Sequence, residues 1–103
     1  MRSLHQEILL SFWKIHILHH AAQGPIYGQG MLEELRGHGY RISPGTLYPL
    51  LDRMERSGWL RGKKDPSAGS RARRDYSLTA EGRRALKRIR RSLEELHEEV
   101  IHG

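Results

Sequence analysis

The sequence predicts a mainly α-helical domain of the α+β class with one small β-hairpin. Three observations carry this reading. Apolar residues recur at helical spacing in four segments that together cover most of the 103 residues. Two short runs of strand-forming residues flank a cluster of turn formers. The first helical segment carries two apolar stripes where one would do, and the last carries a narrow seam at steps of three and four, so both are expected to serve as dimerisation helices.

The first helix is expected over residues 4–22, with Ser3 as N-cap and Gln23-Gly24-Pro25 as its stop. Leu4, Ile8, Phe12, Ile15, Leu18 and Ala22 form one stripe on it, and Leu10, Trp13, Ile17 and Ala21 form a second. A surface helix packed on its own domain needs only one. The second stripe, Leu10, Trp13 and Ile17, is therefore expected to meet another subunit.

Residues 25–58 read as two short helices and a turn. The first runs from Ile26 to about Gly37, entered through Pro25, with Met31, Leu32 and Leu35 inward. Gly37 and Gly39 offer positions for ending it. Ser43 is a suitable N-cap for the next helix and Pro44 suits its first position, where a missing N–H costs nothing. Leu47, Leu50, Leu51 and Met54 give that helix a buried face; Pro49 in its second turn is expected to bend it slightly.

Residues 59–78 read as a hairpin, with strands at 59–64 and 75–78 around Asp65-Pro66-Ser67-Ala68-Gly69-Ser70. Thr79 caps a final helix over residues 80–102. Leu86, Ile89, Leu93, Leu96 and Val100 follow one another at alternating steps of three and four, the seam of a helix that pairs with another helix. These five are expected at a dimer interface together with Leu10, Trp13 and Ile17.

Charge narrows the function. The chain carries +6 overall, yet from Arg61 to Arg91 twelve Lys/Arg face three acids, a local surplus of nine. Such a stripe suits a polyanion, because each neutralised phosphate releases condensed counterions. The absence of cysteine excludes disulfides, thiolate catalysis and Cys-based metal centres. No Gly-rich phosphate loop and no nucleophile–base pair suggests an enzyme, and no cofactor is expected. No apolar run approaches a membrane span, so the chain is expected to be cytoplasmic, without a membrane partner.

Two short helices, a Gly-containing turn and a basic hairpin outline a winged helix-turn-helix. The second helix of such a pair can enter a major groove about 12 Å wide with its N-terminal end nearest the bases. Ser43, Gly45, Thr46 and Tyr48 lie there, with Arg53 further along. Its place near the helix start favours contact over packing for Thr46, Tyr48 reads equally either way, and Gly45 either lets a phosphate approach or serves packing. Lys63, Lys64, Arg71, Arg73 and Arg74 on the hairpin complete the candidate DNA contacts.

At this point the chain resembles the PadR family of bacterial transcriptional regulators. The residues that carry the resemblance are Gly24-Pro25-Ile26-Tyr27-Gly28, the run Ser43-Pro44-Gly45-Thr46-Leu47-Tyr48-Pro49-Leu50-Leu51, then Arg53, Glu55, Gly58, residues 71–79 and Gly82. The resemblance implies a homodimer, usually a repressor, that binds a palindromic operator in double-stranded DNA, and in many members responds to a small-molecule effector. One long helix after the wing places the chain with the short members. The family wing often begins with Gly and continues Arg-x-Arg-Lys-Tyr-Tyr; here Ser70 and Asp75 depart from it. With Asp75 beside Arg74, Arg71 and Arg73 rank ahead of Arg74 as phosphate contacts.

Other readings attach to particular residues. Phe12 and Trp13 either line a pocket for a planar apolar effector or are plain interface packing. His16 and His20, one helical turn apart, are weak candidate metal ligands, with His5 or His97 to complete the shell, and are otherwise ordinary packed histidines. The last helix is basic in its first half and acidic in its second, against the preference of the helix dipole. Either its basic half flanks DNA, or the two halves neutralise each other in an antiparallel pair. The alternatives to a DNA-binding regulator are a winged-helix adaptor that recruits another protein and a His-based metal-responsive regulator.

Overall fold

Ser3 starts the first helix in the computed structural model, which describes residues 1–64, 67, 69 and 73–103. Its hydroxyl accepts the Gln6 N–H at 3.1 Å while the Gln6 side chain accepts the Ser3 N–H at 2.9 Å, a reciprocal capping box. Helix α1 then runs from Leu4 to Gln23, followed by strand β1 (Ile26–Tyr27), helix α2 (Gly28–Gly37) and helix α3 (Pro44–Arg56). Strands β2 (Leu60–Lys64) and β3 (Arg74–Leu78) lead to helix α4 (Ala80–Ile101).

Ile26 and Tyr27 are strand, not the first turn of a helix as their neighbourhood in the sequence suggests. They pair antiparallel with Tyr76 and Asp75, so β3 lies between β1 and β2 in a three-stranded sheet. Pro25 keeps the preceding residues extended, and the backbone groups of a dipeptide so close to β3 are satisfied by pairing there. A two-residue strand has no periodicity of its own to read.

Helices α2 and α3 end in the same way. After α2 the Tyr40 N–H bonds the Leu35 carbonyl and the Gly39 N–H the Arg36 carbonyl, with Gly39 at φ +93°. After α3, Trp59 and Gly58 repeat the pattern on Met54 and Glu55, with Gly58 at φ +86°. Both are Schellman caps, which need a left-handed residue and so favour glycine. The Arg36 guanidinium also donates to the Ile42 carbonyl at 3.2 Å, closing the turn that leads into α3. Pro49 leaves α3 unbroken from Pro44 to Arg56. The N–H it lacks would have served the Gly45 carbonyl, in the first exposed turn.

The core gathers Trp13, Ile17, Leu18, Met31, Leu32, Leu35, Leu47, Leu50, Leu51, Met54, Leu60, Tyr76 and Leu86 from every helix and from the sheet. This reverses the assignment of the two stripes on α1. Trp13 is buried and Ile17 wholly enclosed in the chain's own core, and Leu10 packs against that core, so none forms a free dimer face. Leu86 is likewise core, and Ile89 is half-buried against it. The apolar side chains left open are Leu4, Ile8 and Phe12 on α1, and Leu93, Leu96, Val100 and Ile101 on the part of α4 beyond the body. The reason is geometric: both stripes are apolar, and only the direction from which α2, α3 and the sheet approach decides which one they cover.

Two polar links fasten α3 to the wing. The Glu55 carboxylate takes the Arg74 guanidinium at 2.8–3.3 Å and the Gly62 N–H at 2.9 Å, so one side chain holds both strands. One turn earlier on α3, Asp52 accepts the Tyr76 hydroxyl at 3.1 Å. Burial, and then this bond, push the Tyr76 phenol up to about 12. The Arg74 hydrogen bonds hold the Glu55 carboxyl below the ordinary carboxylate range. A side chain on Gly62 would overlap the Arg74 guanidinium, so the link needs glycine at that position.

Two predictions follow from this packing. A Cβ on Gly82 would overlap the Trp59 carbonyl, backbone that cannot yield cheaply, and the end of the Leu78 side chain. Gly82→Ala is expected to cost about 1–3 kcal/mol in urea unfolding, whereas Gly37→Ala, which meets open space, is expected to be neutral or stabilising. Because the Glu55 pKa is depressed by folding, its contribution is complete above the unfolded carboxylate range and is lost as pH falls through the folded value. Glu55→Gln should cost about 1 kcal/mol near neutral pH. The gap to wild type should close as the unfolding series is taken below about pH 4.

Candidate nucleic-acid interface

The N-terminal end of α3 is open. Ser43, Pro44 and Gly45 are exposed and Thr46 half-buried. The Ser43 hydroxyl meets the Thr46 hydroxyl at 3.3 Å and caps no N–H; Pro44 has none, and the Thr46 N–H donates to the Ser43 carbonyl at 3.0 Å. This helix start therefore offers an anion the Gly45 N–H and the positive end of the helix dipole. Tyr48 is 41% exposed, and its ring lies across Gly28 at the start of α2, where a Cβ could not fit. It therefore packs two helices together while keeping an edge in solvent. Arg53 is exposed further along α3.

The wing lies beside α3, and the alternation of β3 sorts its arginines. Arg74, Tyr76 and Leu78 share the face toward the core, whereas Asp75 and Ser77 point away. Arg74 is consequently held by Glu55, and Asp75 is not its partner. Asp75 pairs instead with Arg73 at 3.1 Å, and the Arg73 guanidinium lies 4.0 Å above the Tyr27 ring of β1. This corrects the expected relation of Asp75 to the wing: it engages the arginine ranked ahead, while Arg74 is taken up in the fold. Arg73 nevertheless keeps 63% of its side chain exposed. Lys63 and Lys64 are exposed on β2, and among the described residues no carboxylate lies within ion-pair distance of Lys63, Lys64 or Arg53. Arg71 lies outside the described residues.

Sequence reasoning missed Tyr27, Glu55 and Gly62 as positioning residues. For Arg74 a signal was present: Tyr76 and Leu78 set the inward phase of the strand, and residue 74 shares it. For Tyr27 and Gly62 none was, because each is defined by a partner distant in the chain.

On the opposite side of the molecule α1 and α4 bound two apolar hollows. One, of 310 Å³, is lined by Phe12, Ile15, His16, His19, Tyr40, Leu86, Arg90 and Leu93. The other, of 500 Å³, lies between Phe12 and the projecting end of α4. Phe12 borders both; Trp13 lines neither, being turned into the core, so the two aromatics do not form a shared pocket. Beside the first hollow, His16 meets the Tyr40 hydroxyl at 3.3 Å. Burial, then the neighbouring His38, hold this imidazole below the usual histidine range. The third imidazole near His16 and His20 is thus His38, not His5 or His97; His97 stacks on His102 at the far end of α4.

No helix among the described residues is long and apolar enough to cross a membrane. Comparison with known proteins agrees with the winged-helix geometry. A transcriptional regulator of Mycobacterium tuberculosis is 51% identical over 90 residues, covering 87% of this chain and 83% of that protein. The crystal structure of a PadR-like transcription factor from Bacteroides fragilis superposes with a TM-score of 0.82 at 26% identity, covering 96% of each chain. A PadR-like regulator from Bacillus cereus gives 0.81 at 27% identity, over 93% of this chain and 94% of its own. The sequence profile of the transcriptional regulator PadR-like family matches residues 17–88, which span the end of α1, the whole of α2, α3 and the wing, and the start of α4. These are regulators and not enzymes, and the chain described here belongs to the PadR-like family of transcriptional regulators.

Proposed function

We propose that the chain is a cytoplasmic, homodimeric repressor that grips a palindromic operator in double-stranded DNA and is released by a small apolar effector. The observations that carry the DNA reading are the solvent-open start of α3, without a side-chain cap, and the exposed wing lysines, which no carboxylate pairs among the described residues. Ser43, Gly45 and Thr46 meet the groove, with Tyr48 at its edge. Lys63, Lys64, Arg73 and the family-matched Arg71 meet phosphates. Arg53 reaches the backbone from the side of α3. Arg74 acts indirectly, by holding the wing on α3.

A second copy is the occupant proposed for the open apolar residues. Leu93, Leu96 and Val100 continue the heptad seam past the body of the domain, and Leu4, Ile8 and Phe12 extend the same surface on α1. A helix with this much uncovered apolar side chain is poorly stable alone in water. The acidic half of α4, Glu94 to Glu99, complements the basic half, Arg83 to Arg91, when two such helices run antiparallel. The dimer would set two copies of α3 about 34 Å apart, one turn of duplex. Of the two hollows, that at Phe12, Tyr40 and Leu93 is the proposed effector site, since it adjoins this interface.

Binding to the chain's own upstream duplex should weaken steeply with salt, and Lys63→Ala or Lys64→Ala should each reduce the log–log slope by about 1. Affinity independent of salt would sink the DNA reading. Phe12→Glu combined with Leu96→Glu is expected to convert a dimer into a helical monomer in analytical ultracentrifugation. An unchanged sedimentation coefficient would remove the proposed interface.

A further inference from the structure

We propose that His16, His20 and His38, together with Glu34, hold one divalent transition-metal ion between α1 and the C-terminal end of α2.

Two pairs of ligating residues, each one helical turn apart, face one another. His16 and His20 stand on one face of α1, and Glu34 and His38 stand on the last turn and cap of α2. Each pair alone is common. Their convergence from two helices is not dictated by either.

The ligand atoms of the three histidines lie within 4.8 Å of one another. The Glu34 carboxylate oxygen is 3.3 Å from His20 Nε2 and 3.2 Å from His38 Nε2. A tetrahedral ion with bonds of 2.0–2.1 Å has ligand–ligand edges of about 3.3 Å, so the Glu34 oxygen already stands at the required separation from each of these two nitrogens. The His16 and His38 rings are 4.8 Å apart between centroids, which brings His16 beside the other ligands as the fourth. Three imidazoles and a carboxylate, with no thiolate anywhere in the chain, suit zinc, cobalt, nickel or copper(II) and not the softer copper(I). The Tyr40 hydroxyl at 3.3 Å from His16 Nε2 lies beside the set and can orient that ring through an outer hydrogen bond when it turns. His20 is largely covered, while Glu34 and His38 are about half exposed, so an ion can enter from solvent without opening the core.

The ion would do more than fill a site. Helix α2 is the first of the helix-turn-helix, and its C-terminal end leads through Tyr40 directly into α3. Fastening that end to α1 fixes the platform on which α3 stands, and the site borders the hollow at Phe12 and Tyr40. This coupling rests on the DNA-binding reading above; the site itself does not.

The test uses the full chain carrying His97→Ala, which removes the separate histidine pair at the end of α4. Titration with cobalt(II) should produce the intense visible absorption of a four-coordinate centre, saturating at one ion per chain. Zinc should displace it. His38→Ala, at an exposed position that the fold does not need, should abolish the band, as should His16→Ala. Glu34→Gln should weaken binding by about 10- to 100-fold. No band, or a band that survives both histidine changes, overturns the site. Zinc is then expected to alter affinity for the upstream duplex by about 5-fold or more, an effect absent in His38→Ala. Identical DNA binding with and without zinc, at a site shown to be occupied, overturns the coupling. A chain that binds no duplex under either condition, yet gives the cobalt band, counts against the DNA reading and leaves the metal site standing.

Discussion

The orientation of the wing relative to α3 depends on one carboxylate. Glu55 receives Arg74 from β3 and the Gly62 N–H from β2, so a single side chain on the helix holds both strands of the hairpin. Three other features exist in its service. Gly62 leaves room for the guanidinium, Arg74 occupies the inward phase of its strand, and Asp52 with Tyr76 adds a second tie one turn away. In the proposed DNA contact, a helix and a ribbon that address adjoining parts of one duplex need a fixed relative angle. A partly buried, forked ion pair supplies it, because its geometry is directional on both sides.

The same economy governs the apolar residues. With 37% hydrophobic residues the chain can build only one small core, and α1 sits at its boundary. One of its faces supplies Trp13 and Ile17 to the interior. The other leaves Phe12 and Ile8 open beside the uncovered seam of α4. Small domains bury a modest fraction of their surface, so a second copy is a direct way to complete the burial. The hollows at Phe12 arise where that second contact would form, which is why the proposed effector site and the proposed interface share residues.

Helix α1 therefore joins three activities. It closes the core, offers the open apolar face, and carries His16 and His20 toward the end of α2. A change at any of these places can reach α3 by a short mechanical route, since α2 is held to α3 by Tyr48 on Gly28 and by the Arg36 bond to Ile42. The basic and acidic halves of α4 lie outside this route and belong to the proposed assembly and DNA contact.

Local chemistry was sufficient to read the helices, the hairpin and their stops from the sequence. Ser3, Pro44, Gly39, Gly58 and Thr79 act on their own neighbours, whereas the Ser43 hydroxyl turns to Thr46 and caps no N–H; apolar spacing of three and four survives without any knowledge of the fold. The candidate recognition residues were legible for the same reason, being defined by position at a helix start. What tertiary structure alone decided was partnership. Two apolar stripes on α1 are equivalent until other elements approach one of them. Asp75 and Glu55 are alternative partners for Arg74 until the pleat turns Arg74 inward, and His38 joins His16 and His20 only once α2 is laid on α1. In each case the competing options have equal local energy, and the choice is made by contacts between segments far apart in the chain.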